Sequence, residues 1–396
     1  MKTEISEWIV RAALAGTNEI EIVAGVCQRL TSAGVSLVRS SVATNLLDPT
    51  IDGRAVRWVR DLGSREEAFP RTDDAQPTED WMRSPFFFMT ENRQLFLRRR
   101  LDATHQQGEF PLLDGFRDQG VTDYVAFAER VGESVRLGEG EGIVSSWTTD
   151  APGGFSEVQV EMLAGIMPAL TLAFMLRTTN RAARALITTY LGSDAAERVL
   201  AGNIVRGRAQ AIRAVVWFSD LIGFTRISDT VSHDVLLALL NDYAEAQVDE
   251  IEAHGGHVLK FMGDGILAIF PDDDTKQACK RALDAAASLR CRIAALNERR
   301  DAAGLLVTDT RLALHVGELL YGNVGSPRRL DFTVLGSAVN EAARIGSLCG
   351  SLEQTVIVSW AFADAAGEAR NMLVSLGRYA MKGIARPQEL FTLDRG

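Results

Sequence analysis

Two aspartates and an asparagine–arginine pair carry the chemistry that can be read from this chain. Residues 215–225 read VVWFSDLIGFT and residues 255–265 read GGHVLKFMGDG. Asp220 follows an apolar run, which predicts a carboxylate at a strand end. Asp264 lies between two glycines, which permit a positive φ and leave room for a ligand. Magnesium takes one or two carboxylates plus substrate phosphates. Two such ions about 4 Å apart clamp the attacking and leaving oxygens of an in-line displacement. Together the aspartates predict a site for two divalent cations and a nucleoside triphosphate. A hairpin turn or a helix cap would account for either one alone.

Other polar groups fit the same substrate. LIGFT (221–225) turns away from the strand and would offer backbone N–H groups, at Phe224 and Thr225, to phosphates. Lys260 is out of place on a buried strand. A snorkelling edge lysine is one account; recognition of a base is the other. An ammonium donates to adenine N1, whereas guanine presents an N–H there. Thr333 would accept from the adenine N6 amine. Asn340 and Arg344, four apart on a predicted helix, share one face. Asn340 suits a ribose, and Arg344 suits charge developing on the α-phosphate. Lys382 is either an exposed loop lysine or a partner of the terminal phosphates.

The elements that must position these groups follow from periodicity. AVVWF (214–218) is a continuous apolar strand. HDVLLALLNDYAEAQVDEIEAHGG (233–256) and residues 275–300 are amphipathic helices. HVLKFM, GDG and ILAIF form a hairpin. RLALHVGEL and LYGNVG read as a second strand pair, and DFTVLG leads into the helix SAVNEAARIGSL. The order β-α-β-β-α-β-β-α predicts an α+β domain with helices on one sheet face.

Upstream, ISEWIVRAALAG and IEIVAGVCQRLTSAG read as helices. VSLVRSSVAT, GRAVRWVRDL and RQLFLRRRL (93–101) read as strands, FPLLDGFRDQG as a short helix, and residues 63–80 as loop. GIVSSWTTDAPGGFSEVQVEMLAGIM gives strand, turn and long helix. Residues 179–211 are a helical connector broken at Gly192.

At 396 residues, two domains are expected. A net charge of −10 argues against nucleic acid as partner. Cys27, Cys279, Cys291 and Cys349 show no ligand spacing, which predicts reduced thiols and a cytoplasmic protein. The N-terminus lacks signal-peptide character. The most apolar run, residues 162–176, is shorter than the ~20 residues a span needs, so no integral membrane segment is expected.

The assembled motifs FSDLIGFT, LKFMGDG and LDFTVLGSAVNEAAR resemble the class III nucleotide cyclase catalytic domain over about residues 205–394. The resemblance implies a ferredoxin-like fold. It implies a metal site at Asp220, the Leu221 carbonyl and Asp264, holding Mg²⁺ or Mn²⁺. It implies base selection by Lys260 and Thr333, a transition-state pair in Asn340 and Arg344, and a phosphate lysine in Lys382. It also implies a homodimer whose sites form between subunits, with ATP converted to cyclic AMP and pyrophosphate. Animal adenylyl members commonly carry aspartate in place of Thr333, and many bacterial relatives carry threonine or serine. Guanylyl members usually carry glutamate in place of Lys260. A guanylate cyclase and an inactive signalling module are the alternatives. The strand–turn–GFS–helix ending of the first half resembles a GAF-type sensor. This predicts a regulatory domain over 1–178, a connector over 179–211 and a catalytic domain over 212–396, with a small molecule or protein regulating the first. SPFFFM (84–89), Trp58 and Trp81 line a ligand pocket there or are plain core. His105 reads as an ordinary residue rather than a haem ligand.

Overall fold

The computed structural model describes residues 2–45, 51–70, 78–102, 106–132, 142–271, 274–381 and 387–394. The chain divides into two compact units, Met1–Leu186 and Ile187–Gly396.

The first unit begins with helices α1 (Lys2–Leu14) and α2 (Glu19–Ser32), then strands β1 (Leu37–Asn45), β2 (Ile51–Val59) and β3 (Gly63–Pro70). Short helices α3 (Glu79–Met82) and α4 (Pro85–Glu91) precede β4 (Phe96–Arg100). Helix α5 (Pro111–Asp118), β5 (Asp123–Arg130), β6 (Gly142–Thr149) and the long α6 (Glu157–Leu191) follow. The six strands form one antiparallel sheet in the order β3-β2-β1-β6-β5-β4. One face buries Val42, Val125 and Trp147 against α1, α2 and α6. The other packs Leu97, Tyr124 and Ala126 against Met89, Leu113 and Phe116.

Two expectations are corrected here. Residues 63–70 are a strand rather than loop. Its charged side chains are spent across the ladder, Glu66 on Arg54 and Glu67 on Arg57. The aromatic cluster is split between faces. Trp58 packs with the α1/α2/α6 side, while Phe86 and Phe88 pack with the other. His105 lies outside the described residues.

Helix α6 is 35 residues long. Its start is a reciprocal cap: Gln159 N–H donates to Ser156 Oγ at 3.3 Å, and Ser156 N–H donates to Gln159 Oε1 at 2.9 Å. By length and composition it passes for a membrane span, with mean hydropathy 1.6, yet 61% of that stretch is buried in the fold. Its length therefore excludes nothing; packing against the sheet accounts for its apolar face.

Immediately before α6, the wholly buried Asp123 carboxylate accepts from Arg98 at 2.8 Å and from the Phe155 N–H at 3.1 Å. These bonds tie the GFS turn to β5.

The second unit comprises α7 (Ser193–Leu200), β7 (Ala209–Leu221), α8 (Phe224–Ser228), α9 (His233–Ala253), β8 (His257–Met262), β9 (Gly265–Pro271) and α10 (Thr275–Ala302). It continues with β10 (Thr310–Ser326), β11 (Arg329–Leu335), α11 (Ser337–Leu348), β12 (Val356–Ser359), α12 (Trp360–Ala365), β13 (Leu373–Tyr379) and β14 (Gln388–Leu393). The sheet runs β13-β14-β12-β10-β7-β9-β8, with β11 also on β10. RLALHVGEL and LYGNVG are one strand of 17 residues, whose hairpin partner is β11. Helices cover both faces of this sheet, not one. Val215, Trp217 and Leu314 pack with α9, α10 and α12. Ala214, Val216 and Leu267 pack with α7 and α11.

Asp123→Ala should destabilise the first unit by about 1–3 kcal/mol, because it orphans the buried Phe155 N–H and leaves Arg98 with only the exposed Glu157 and the Phe155 carbonyl. Urea unfolding followed by tryptophan fluorescence measures this; an unchanged midpoint would refute the role given to Asp123.

Candidate active site

β7 ends at the hairpin between β8 and β9, and this junction brings Asp220 and Asp264 together. The Leu221 N–H donates to Asp264 Oδ2 at 3.1 Å. Gly265 packs so closely that a Cβ there would stand 2.6 Å from the Ser219 carbonyl. Gly263 holds φ at +68°, so the turn needs its glycines. Asp220 Oδ1 is buried and has no hydrogen-bond partner. Burial raises the Asp220 pKa, the Asp264 charge raises it further, and Arg311 opposes both. A buried, unpaired carboxylate oxygen beside a second carboxylate fits a divalent cation. No cluster of three or more His, Cys, Asp or Glu occurs among the described residues. The donor set is thus two carboxylates plus backbone at Leu221, which leaves positions for substrate oxygens.

After Leu221 the chain turns through Gly223, at φ +71°, into the five-residue α8. Phe224 leans on the core and Thr225 is exposed.

Lys260 and Thr333 form a second group. The β10–β11 hairpin reaches β8, where Lys260 Nζ donates to Asp331 Oδ2 at 2.8 Å. Thr333 is two residues further along β11, on the same strand face as Asp331. It is 5% exposed, and its hydroxyl is buried without a partner.

Asn340 and Arg344 share one face of α11, and that face is exposed. The opposite face, Ala338, Ala342 and Ile345, packs on the sheet. α11 does not start at the edge that holds the aspartates. Leu335, Leu320 and Ala211 are cross-strand neighbours. Asp220 is nine residues further along β7, about 30 Å away at ~3.3 Å per residue. The helix runs back toward that end, with Gly346 packed on Phe218, but its asparagine–arginine face points away from the sheet into solvent. Lys382 lies outside the described residues.

Two neighbours of these groups were not picked out of the sequence. Arg311 pairs with Asp220 across the β7–β10 ladder. Asp331 holds Lys260. Both depend on strand register, which residue spacing does not reveal.

Comparison with known proteins finds similarity within the second unit. Residues 208–394 match the family model of the adenylate and guanylate cyclase catalytic domain. Adenylate cyclase 1 of Rhizobium meliloti is 31% identical over 189 residues, covering 46% of this chain and 28% of that protein. Adenylate cyclase of Anabaena cylindrica is 34% identical over 150 residues, covering 37% of this chain and 29% of that protein. The chain thus spans under a third of the length of these curated relatives. Among solved structures, the adenylyl cyclase CyaB from P. aeruginosa aligns with TM-score 0.44 and 26% identity, over 48% of this chain and 97% of that one. The guanylyl cyclase Cya2 aligns with TM-score 0.42 and 27% identity, over 47% and 93%.

The raised Asp220 pKa has a stability consequence. A carboxyl raised in the folded state is penalised when ionised. The penalty is absent below the unfolded pKa and complete above the folded one, hence complete at neutral pH. Asp220→Asn should therefore raise the melting temperature of the metal-free protein, on the order of 2 °C. It should also abolish the rise in melting temperature expected of the unmutated chain with Mn²⁺. Thermal unfolding with and without Mn²⁺ tests both; a lower melting temperature for the metal-free variant counts against the burial argument.

Proposed function

We propose that the class III adenylate/guanylate cyclase domain in residues 208–394 converts ATP to 3′,5′-cyclic AMP and pyrophosphate, at sites shared between two copies of the chain. The observation that carries this reading is the outward face of α11. Asn340 and Arg344 point away from the sheet whose end holds Asp220 and Asp264, so a second copy is needed to complete a site. A two-fold dimer of one sequence makes two equivalent sites.

Asp220, Asp264 and the Leu221 carbonyl would hold two divalent cations, Mg²⁺ or Mn²⁺. Those cations, when bound, lower the pKa of the ribose 3′-hydroxyl and neutralise the triphosphate. The N–H groups of Phe224 and Thr225 take phosphate oxygens, and Lys382 takes the terminal ones. Lys260 donates to adenine N1, with Asp331 keeping its ammonium on the β11 face. The unpartnered Thr333 hydroxyl accepts from the N6 amine. The subunit that gives Lys260, Thr333 and Lys382 also gives Asn340, which fixes the ribose, and Arg344, which stabilises charge on the α-phosphate; the metal aspartates come from its partner. No side-chain general base is evident. Positioning and electrostatics supply most of the rate.

Adenine is favoured over guanine because Lys260 stands where guanine would oppose donor with donor. The Rhizobium and Anabaena relatives, both adenylate cyclases, point the same way. Residues 1–178 are proposed as a GAF-like regulatory domain acting through the connector at 179–211. Purified protein with Mn²⁺ and ATP that gives no product under varied conditions would favour the inactive-module reading.

Asp220→Asn and Arg344→Ala chains should each be inactive alone. Mixed equally, half the dimers are heterodimers with one intact site, so about a quarter of the unmutated activity should return. Confirmed heterodimers with no activity would sink the shared-site reading. Lys260→Glu should lower the ATP-to-GTP turnover ratio by about 100-fold or more, since it leaves a base edge unpaired. An unchanged ratio, in side-by-side assays, would remove Lys260 from base selection.

A further inference from the structure

The strands around Lys260 and Thr333 are held from behind by α7. Thr333 and Asp331 lie on one face of β11. Phe332 and Val334 lie on the other, where they share a buried cluster with Ala195 of α7. Gly322 of β10 is the cross-strand partner of Thr333. The residues on either side of Gly322 are both tied to the α7 segment. Buried Tyr321 donates its hydroxyl to Asp194 Oδ2 at 2.7 Å. Buried Asn323 donates its side-chain amide to the Asn203 carbonyl, just past α7, at 2.6 Å. A third hold acts on β8. Gly192, the N-cap of α7, packs so closely that a Cβ there would stand 2.7 Å from the carbonyl of Val258, two residues before Lys260.

Asp194 is the hub of this arrangement. Its Oδ2 also accepts from Arg198 Nε at 2.8 Å, one turn along the helix. The Arg198 guanidinium lies 5.1 Å from the centre of the Tyr321 ring. That ring meets the Phe332 ring edge to face, with centres 4.8 Å apart. Phe332 adjoins Thr333 in the chain. A short line of bonded and packed groups thus runs from Asp194 to the threonine. On the front face, the Lys260–Asp331 ion pair is solvated, and such pairs hold a geometry weakly. Groups that read a base edge need placing to about 0.5 Å, so the support has to come from the back.

We propose that Asp194 is a positioning residue for base selection: through Tyr321 it holds the β10–β11 strands so that Thr333 stands at the separation from Lys260 that one adenine edge spans. The inference rests on the adenine-recognition reading given above and adds to it a residue behind the strands that read the base.

The test is steady-state turnover of ATP and GTP by the full chain with Mn²⁺. Base contacts are made equally in ground and transition states, so loosening them raises KM and leaves kcat. Tyr321→Phe keeps the ring and removes the hydroxyl; Asp194→Ala removes its acceptor. Each should raise the KM for ATP about fivefold, the scale of one lost hydrogen bond, with kcat within about twofold and GTP turnover unchanged. Both donors use the same oxygen, so Asp194→Asn keeps an acceptor and should retain the unmutated ATP-to-GTP ratio. Should Asp194→Ala fail to fold, Tyr321→Phe, which conserves the packing, decides alone. An unmutated chain with no preference for ATP, or one whose preference survives Lys260→Glu, overturns the base-selection reading and this inference with it. A preference lost in Lys260→Glu but intact in Tyr321→Phe and Asp194→Ala overturns the inference alone. So does an equal fall in turnover of both nucleotides at unchanged KM, which is what loosened packing gives.

Discussion

Two carboxylates that repel each other at one end of a buried sheet are the constraint around which the second unit is organised. Asp264 finds relief in the Leu221 N–H; Asp220 has an oxygen with none. Such an arrangement persists only where the packing beneath it is strong. Here that packing is visible. Trp217 Nε1 donates to Ser219 Oγ at 3.1 Å, and Ser219 Oγ donates to Gln247 of α9 at 2.6 Å, all within the buried core. Gly265 lets the hairpin press onto the Ser219 carbonyl. The carboxylates are thus held by backbone and core, with little freedom to separate and relax.

Much of this could be read from residue order. AVVWF, the GDG turn and the four-residue spacing of Asn340 and Arg344 each state a local geometry, and local geometry is what sequence patterns encode. Strand register between distant segments is not so encoded, and there the reading fell short. RLALHVGEL and LYGNVG read as two strands. In the fold, Gly317 instead admits α11, since a Cβ there would stand 2.5 Å from Ala338 Cβ, and the strand runs on. A glycine within a strand marks close approach as readily as a turn. β5 escaped notice altogether, and the charge-rich β3 looked like loop because its cross-strand partners lie in another segment. The placement of helices on both faces was likewise beyond a pattern that records element order alone.

The first unit follows a different economy. Its α1/α2/α6 side is a dense apolar core, with Ile22, Leu30, Leu37 and Trp147 fully buried. Its other side mixes apolar packing with Arg39, Arg57, Ser41 and Thr148. The aromatic residues that drew attention in the sequence are divided by the sheet, so they cannot line one pocket together.

Under the shared-site proposal, the outward face of α11 has a consequence for how output scales. When each half-site on one chain is met only by its complement on another, the number of working centres rises with the square of copy number while pairing is weak. Doubling expression then more than doubles the signal. The two half-sites also decay independently. After gene duplication, one daughter could lose the acidic end and the other the arginine helix, and the pair would remain competent with a single centre, leaving the vacated cleft free for other uses.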